Sequence, residues 1–73
     1  MADRPPIARE IADLMAAMPG PFAPSTELAA WLRRKAAIQW RIAAESDDPM
    51  LAANARELAE SSERHAREVE AQW

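Results

Sequence analysis

The chain of 73 residues has no cysteine, no tyrosine, one glycine and one histidine. Without cysteine it cannot form a disulfide, a thiolate zinc site or a thiol nucleophile. A single histidine cannot hold a metal ion unless carboxylates supply the other ligands. A chain this short buries only about 60% of its unfolded surface. We therefore expect no metal, and we expect oligomerisation or a partner protein to supply further burial.

Long apolar runs are also missing. No stretch approaches the roughly 20 apolar residues that cross a bilayer, and the polar start at residues 1–6 does not resemble a secretory signal. The formal net charge of −3 gives no reason to expect a nucleic acid or another polyanion as partner. The high alanine content and the preference for arginine over lysine suggest a GC-rich bacterial genome. These features predict a cytoplasmic protein that binds no membrane.

Helical periodicity and helix-breaking residues predict an all-α fold in a single small domain over residues 1–73. We expect a short N-terminal helix at about 5–18, ended by the Pro-Gly-Pro segment 19–21. An antiparallel helical hairpin should follow, with helices at about 26–46 and 49–73 joined by a short turn. Asp3, Ser25 and Asp48 are the predicted N-caps of the three helices, with Pro49 as the first residue of the last one.

The two long helices should pack bulky side chains against small ones. The packing face predicted for the last helix follows a heptad pattern and consists of Leu51, Ala55, Leu58, Ser62, His65, Val69 and Gln72. Four residues flank it at seven-residue intervals: Ala52, Ala59, Ala66 and Trp73. We expect Trp31 to lie opposite residues 62–69 and Trp40 opposite residues 51–55. The apolar arc of the middle helix spans roughly 200°, so a second side of that helix should face the first helix or another chain.

Large apolar side chains beyond the needs of one helix pair suggest an interface, and we expect oligomerisation to complete a helical bundle. The predicted interface residues are Ile7, Ile11, Leu14, Met15, Met18, Phe22, Trp31, Ile38, Trp40 and Trp73. Phe22 should close the open end of the hairpin near Leu28, although Pro21 to Pro24 also match a PxxP ligand. Trp73 is expected to anchor the C-terminal end, since tryptophan is enriched at interface hot spots.

Three polar residues, Lys35, Gln39 and His65, fall at predicted interior positions. Together with Ser62 they could form a hydrogen-bonded layer that fixes helix register or oligomeric state. Alternatively, the Lys35 stem lies along apolar surface with its ammonium group in water. His65 is expected to be partly buried and hydrogen-bonded, and not to ligate a metal.

The sequence therefore favours a small protein–protein interaction or regulatory module that self-associates or binds a partner through apolar helix faces. The alternative is a small-molecule or nucleic-acid binder that uses Arg33, Arg34 and Arg41 with Trp31 and Trp40. No acid, base and nucleophile can be assembled from one histidine and scattered surface carboxylates. We therefore expect neither enzymatic activity nor a cofactor.

Overall fold

The computed structural model describes residues 5–72, which contain three α-helices: α1 (Ile7–Ala16), α2 (Ser25–Glu45) and α3 (Pro49–Ala71). Helices α2 and α3 form an antiparallel hairpin, and α1 packs on α2 without a close backbone approach to α3. The predicted all-α hairpin with a short first helix is confirmed. The cap predicted at Asp3 and the anchor predicted at Trp73 lie outside the described residues. Within residues 5–72, no helix combines the length and the apolar character needed to cross a bilayer.

The helix starts depend on proline and aspartate. The Asp48 carboxylate accepts hydrogen bonds from the backbone N–H groups of Met50, at 2.9 Å, and Leu51, and Pro49 is the first helical residue, as predicted. The predicted Ser25 cap is wrong, because Ser25 is already helical and Pro24 occupies the cap position. The Pro24 carbonyl accepts the first intrahelical hydrogen bonds of α2, so the helix begins without a side-chain cap.

The core between α2 and α3 consists largely of small side chains on the α3 side. The buried residues of α3 are Ala55, Ala59, Ser62, Ala66 and Val69, and those of α2 are Ala29, Leu32, Ala36 and Ile38. Ala59 and Ala66, predicted to flank the packing face, have no exposed surface. Conversely, four residues that were predicted for the packing face are exposed: Leu51, Leu58, His65 and Gln72. Small residues let two helices approach closely, and a leucine at their place would hold the helices apart.

The register of the hairpin differs from the predicted one at its closed end. Trp31 packs against the buried cluster that includes Ala66 and Val69, as expected. Trp40 instead hydrogen-bonds Glu63, so its predicted place opposite residues 51–55 is wrong. The backbone is extended on both sides of the turn, at Ser46 and Asp48. Extended residues advance about 3.3 Å each, against 1.5 Å in a helix. Together with the pairing of Trp40 and Glu63, this offset indicates that the first turns of α3 extend past the end of α2.

Phe22 does not close the open end of the hairpin near Leu28, as the sequence predicted. Its side chain is 97% exposed. The connector makes a tight turn in which the N–H of Ala23 donates to the carbonyl of Gly20, at 3.1 Å, with Pro21 and Phe22 at the tip. The turn therefore directs the aromatic ring away from the hairpin.

Substituting leucine for Ala59 tests the close approach of α2 and α3. Because Ala59 has no exposed surface, Ala59→Leu should lower the free energy of unfolding by about 1–3 kcal/mol through overpacking. The same substitution at Ala53, an exposed position of α3, should change it by no more than about 0.5 kcal/mol. Urea unfolding followed by circular dichroism measures both, and equal effects would contradict this packing.

Candidate interaction surface

Helix α1 is attached to α2 by hydrogen bonds toward its two ends. The indole N–H of Trp31 donates to the carbonyl of Leu14, at 2.8 Å, and the Leu14 side chain is buried beneath α1. At the other end, the Arg41 guanidinium donates to the carbonyl of Pro5 and lies 3.1 Å from the Glu10 carboxylate. The Arg41 side chain is only 13% exposed, because α1 covers it.

An apolar groove of about 240 Å³ runs between α1 and α3, with α2 as its floor. Its lining residues come from all three helices: Ile11, Leu14 and Met15 from α1, Lys35, Ile38, Gln39 and Ile42 from α2, and Leu58 from α3. We call this the apolar groove. Three of these side chains remain open to solvent, with exposures of 40% for Ile11, 54% for Met15 and 47% for Leu58.

The predicted interface residues divide into three groups in the folded chain. Leu14 and Ile38 are buried by the chain itself, Ile7, Trp31 and Trp40 are partly buried, and Ile11, Met15, Met18 and Phe22 are exposed. Leu58 also belongs to this surface, although the sequence pattern assigned it to the core. The sequence did indicate this arrangement. The alanines at 52, 59 and 66 fit against a bulky partner helix better than the neighbouring leucines do.

The predicted polar layer is reduced to one hydrogen-bonded pair. The hydroxyl of Ser62 donates to the side-chain carbonyl of Gln39 at 2.8 Å, and Ser62 is buried. Lys35 is partly buried, with its ammonium 5.7 Å from the centre of the Trp31 ring, in the range of a cation–π contact. His65 is exposed, so its predicted interior position is wrong. It lies one heptad after Leu58, on the flank of α3 that turns away from the core.

Two arginines of α2 are engaged in ion pairs with carboxylates. Arg33 donates two hydrogen bonds to Glu70, one of them 2.8 Å long, linking α2 to α3. These hydrogen bonds raise the pKa of Arg33 and lower the pKa of the Glu70 carboxyl. Arg41 donates to Glu45 at 2.7 Å, and this bond, together with that to Glu10, raises the pKa of Arg41.

A second, more polar groove of about 460 Å³ lies on the other side of α1. Its lining residues are Pro5, Glu10, Asp13, Arg34, Ala37, Ile38 and Arg41. Carboxylates and guanidinium groups face each other there, and Glu10 already pairs with Arg41. Across residues 5–72, every buried side-chain nitrogen or oxygen has a hydrogen-bond partner.

Comparison of the chain with known protein families, with curated proteins and with solved structures finds no match. The described residues also contain no group of three or more histidine or acidic side chains placed to hold a metal ion. From its lining residues, the apolar groove offers dispersion contact with aliphatic side chains and a cation–π contact from Lys35.

Replacing Trp31 by phenylalanine should loosen α1 selectively. Trp31→Phe keeps an aromatic ring but removes the N–H that binds the Leu14 carbonyl, at a cost of about 0.5–1.5 kcal/mol. We expect faster amide hydrogen exchange in α1 than in the unchanged protein. Trp40→Phe is the matched control, since it removes an indole hydrogen bond to α3 and should leave exchange in α1 unchanged. Equal exchange of α1 in both variants would contradict this role of Trp31.

The pair formed by Arg33 and Glu70 predicts a dependence of stability on pH. Because the folded-state pKa of Glu70 lies below its unfolded value, the stabilisation is fully present above about pH 4.3 and is lost as the pH falls through the lowered pKa. Glu70→Gln should therefore destabilise the protein at pH 7 and lose this effect toward pH 3. Urea unfolding across this range measures it. Glu60→Gln, at an exposed position of α3, is the control, and the same pH dependence there would refute the prediction.

Proposed function

We propose that this chain is a small protein–protein interaction module that self-associates or binds a partner protein through its apolar helix faces. The observation that carries the proposal is the apolar groove, which all three helices line and which leaves Ile11, Met15 and Leu58 about half exposed. Covering such a surface is favourable by about 25 cal/mol for each Å² removed from water. Contiguous exposed apolar surface marks interaction sites in soluble proteins.

The shallow core supports the same proposal. In residues 5–72 no large side chain is fully buried, and α3 contributes mainly alanine to the hairpin interface. Outside the groove lining, Met18, Phe22 and Leu51 are further exposed apolar side chains. Chains of this size commonly obtain missing burial from a second subunit or a partner. The same contacts that recognise another protein would then stabilise this one.

The alternative function, binding of a nucleic acid or small molecule, has less support. A phosphate group would have to compete with Glu70 for Arg33 and with Glu10 and Glu45 for Arg41. The indole N–H groups of Trp31 and Trp40 are likewise already donated to partners within the chain. The polar groove has the volume of small-ligand sites, about 300–1,000 Å³. Of its charged side chains, however, Glu10 and Arg41 already pair with each other.

Site-specific photocrosslinking tests the proposed function. We expect p-benzoylphenylalanine at Leu58 to form a covalent adduct with another polypeptide, either a second copy in purified protein or a different protein in cells. The same group at Arg64, an exposed position of α3 outside the groove, is the matched control and should give none. Adducts are separated by denaturing electrophoresis and identified by mass spectrometry. Equal yields at both positions, or none at Leu58, would refute the proposal.

A further inference from the structure

The connector between α1 and α2 carries an aromatic side chain that is almost fully exposed and packs on no other part of residues 5–72. Phe22 is 97% exposed at the tip of the turn that joins Gly20 to Ala23. Prolines at 19, 21 and 24 restrict the backbone around it, so little further conformational entropy is lost when the ring is immobilised. Aromatic residues are enriched at protein interfaces, where a ring fills a pocket of the partner.

The apolar groove has the size and chemistry to receive one phenyl ring. Its volume of about 240 Å³ is below the range of about 300–1,000 Å³ for drug-sized ligands. An apolar cavity of only about 150 Å³ can bind benzene. Lys35, at the floor of the groove, has no carboxylate partner within residues 5–72 and already lies beside the Trp31 ring. A phenyl ring entering the groove would give this ammonium a second aromatic neighbour.

We propose that Phe22 of one copy of this chain inserts into the apolar groove of a second copy, and the reverse, to form a symmetric dimer. The ring does not occupy the groove of its own chain, as its exposure shows. In a two-fold arrangement each contact occurs twice, so one exposed ring and one groove per chain satisfy each other completely. This inference rests on the proposed function, and it identifies the binding partner as a second copy of the chain.

The surface between the ring and the groove fits such a pairing. Met15, on α1, lines the groove, and Met18 follows in the connector. Both are about half exposed, and flexible methionine adapts readily to a partner surface. The acidic residues of α1, Glu10 and Asp13, line the polar groove instead. Two α1 helices could therefore meet without facing like charges.

The area that the two contacts bury is that of a weak, reversible dimer. One phenylalanine buries about 150–250 Å², and its pocket loses a similar area, so two such contacts remove about 600–1,000 Å². Met15 and Leu58 line the groove and are already included in this area, so only Met18 of each copy adds to it. The total stays below the roughly 1,200 Å² at which standard stable interfaces begin, in the range of weak, reversible pairs. We therefore expect a dimer that depends strongly on the two aromatic rings.

The single phenylalanine of the chain makes a direct test possible. Incorporation of 4-fluorophenylalanine places one fluorine probe in the protein, at position 22. With rising concentration we expect its resonance to move from the solvent-exposed to a buried position while sedimentation shows a doubled mass. Phe22→Ala should weaken dimerisation by about tenfold or more. Met50→Ala, which removes another highly exposed apolar side chain, should leave it unchanged.

A variant of the groove supplies the reciprocal test. Leu58→Glu should abolish both the fluorine shift and the doubled mass, whereas Met50→Glu, outside the groove, should not. Adding unlabelled Phe22→Ala protein to fluorine-labelled Leu58→Glu protein should restore the buried resonance, because one ring and one intact groove remain. Circular dichroism verifies that each variant is folded.

Three results would overturn the inference. One is a doubled mass with the fluorine resonance unmoved, which means that association uses another surface and leaves the proposed function standing. Another is dimerisation of Phe22→Ala as tight as that of the unchanged protein. The third is a monomer with an unmoved resonance up to about 1 mM, a concentration at which even weak specific pairs form. The crosslinking experiment then decides the proposed function separately.

Discussion

The close approach of α2 and α3 along Ala59 and Ala66 is the constraint on which the rest of the structure depends. Small residues on α3 allow the two helices to approach closely. They also bury little apolar volume, because the large side chains of the core come from α2. The apolar arc of α2 is wider than α3 can cover, so α1 must cover its second side. With only 10 residues, α1 covers only part of that side. The apolar groove is the part of the α2 surface that neither α1 nor α3 covers.

Because an isolated helix of this length is marginal in water, α1 depends on its contacts with α2. Those contacts are the buried Leu14 side chain and directional hydrogen bonds from Trp31 and Arg41. One wall of the apolar groove is thus the least independently stable helix of the fold. An occupant of the groove would bury more of α1 and stabilise it, so binding and the order of α1 are thermodynamically linked.

The helices, their order and the antiparallel hairpin could be predicted from periodicity, prolines and Asp48, because these signals act locally. The packing face of α3 could not be predicted from heptad spacing alone, since Leu58 and Ala59 both fit such a pattern. Steric fit with α2 decides between them. The place of Trp40 was missed because the extended backbone at Ser46 and Asp48 shifts the register, and residue type does not specify that shift. The position of Phe22 was also mispredicted, because the turn at Gly20 sets the direction of its side chain and residue type does not specify that direction.

The positions of the charged side chains determine which kind of partner side chain can bind in the apolar groove. The acidic residues of α1 lie on the polar side of that helix, and Arg33 and Arg41 are paired with carboxylates. Lys35 is therefore the one charged residue among those lining the apolar groove. A cationic side chain would meet this ammonium in a poorly solvated place and be disfavoured, whereas an aliphatic or aromatic one is accepted. Since the groove is small and open, affinity must come from a rigid, preorganised occupant more than from area.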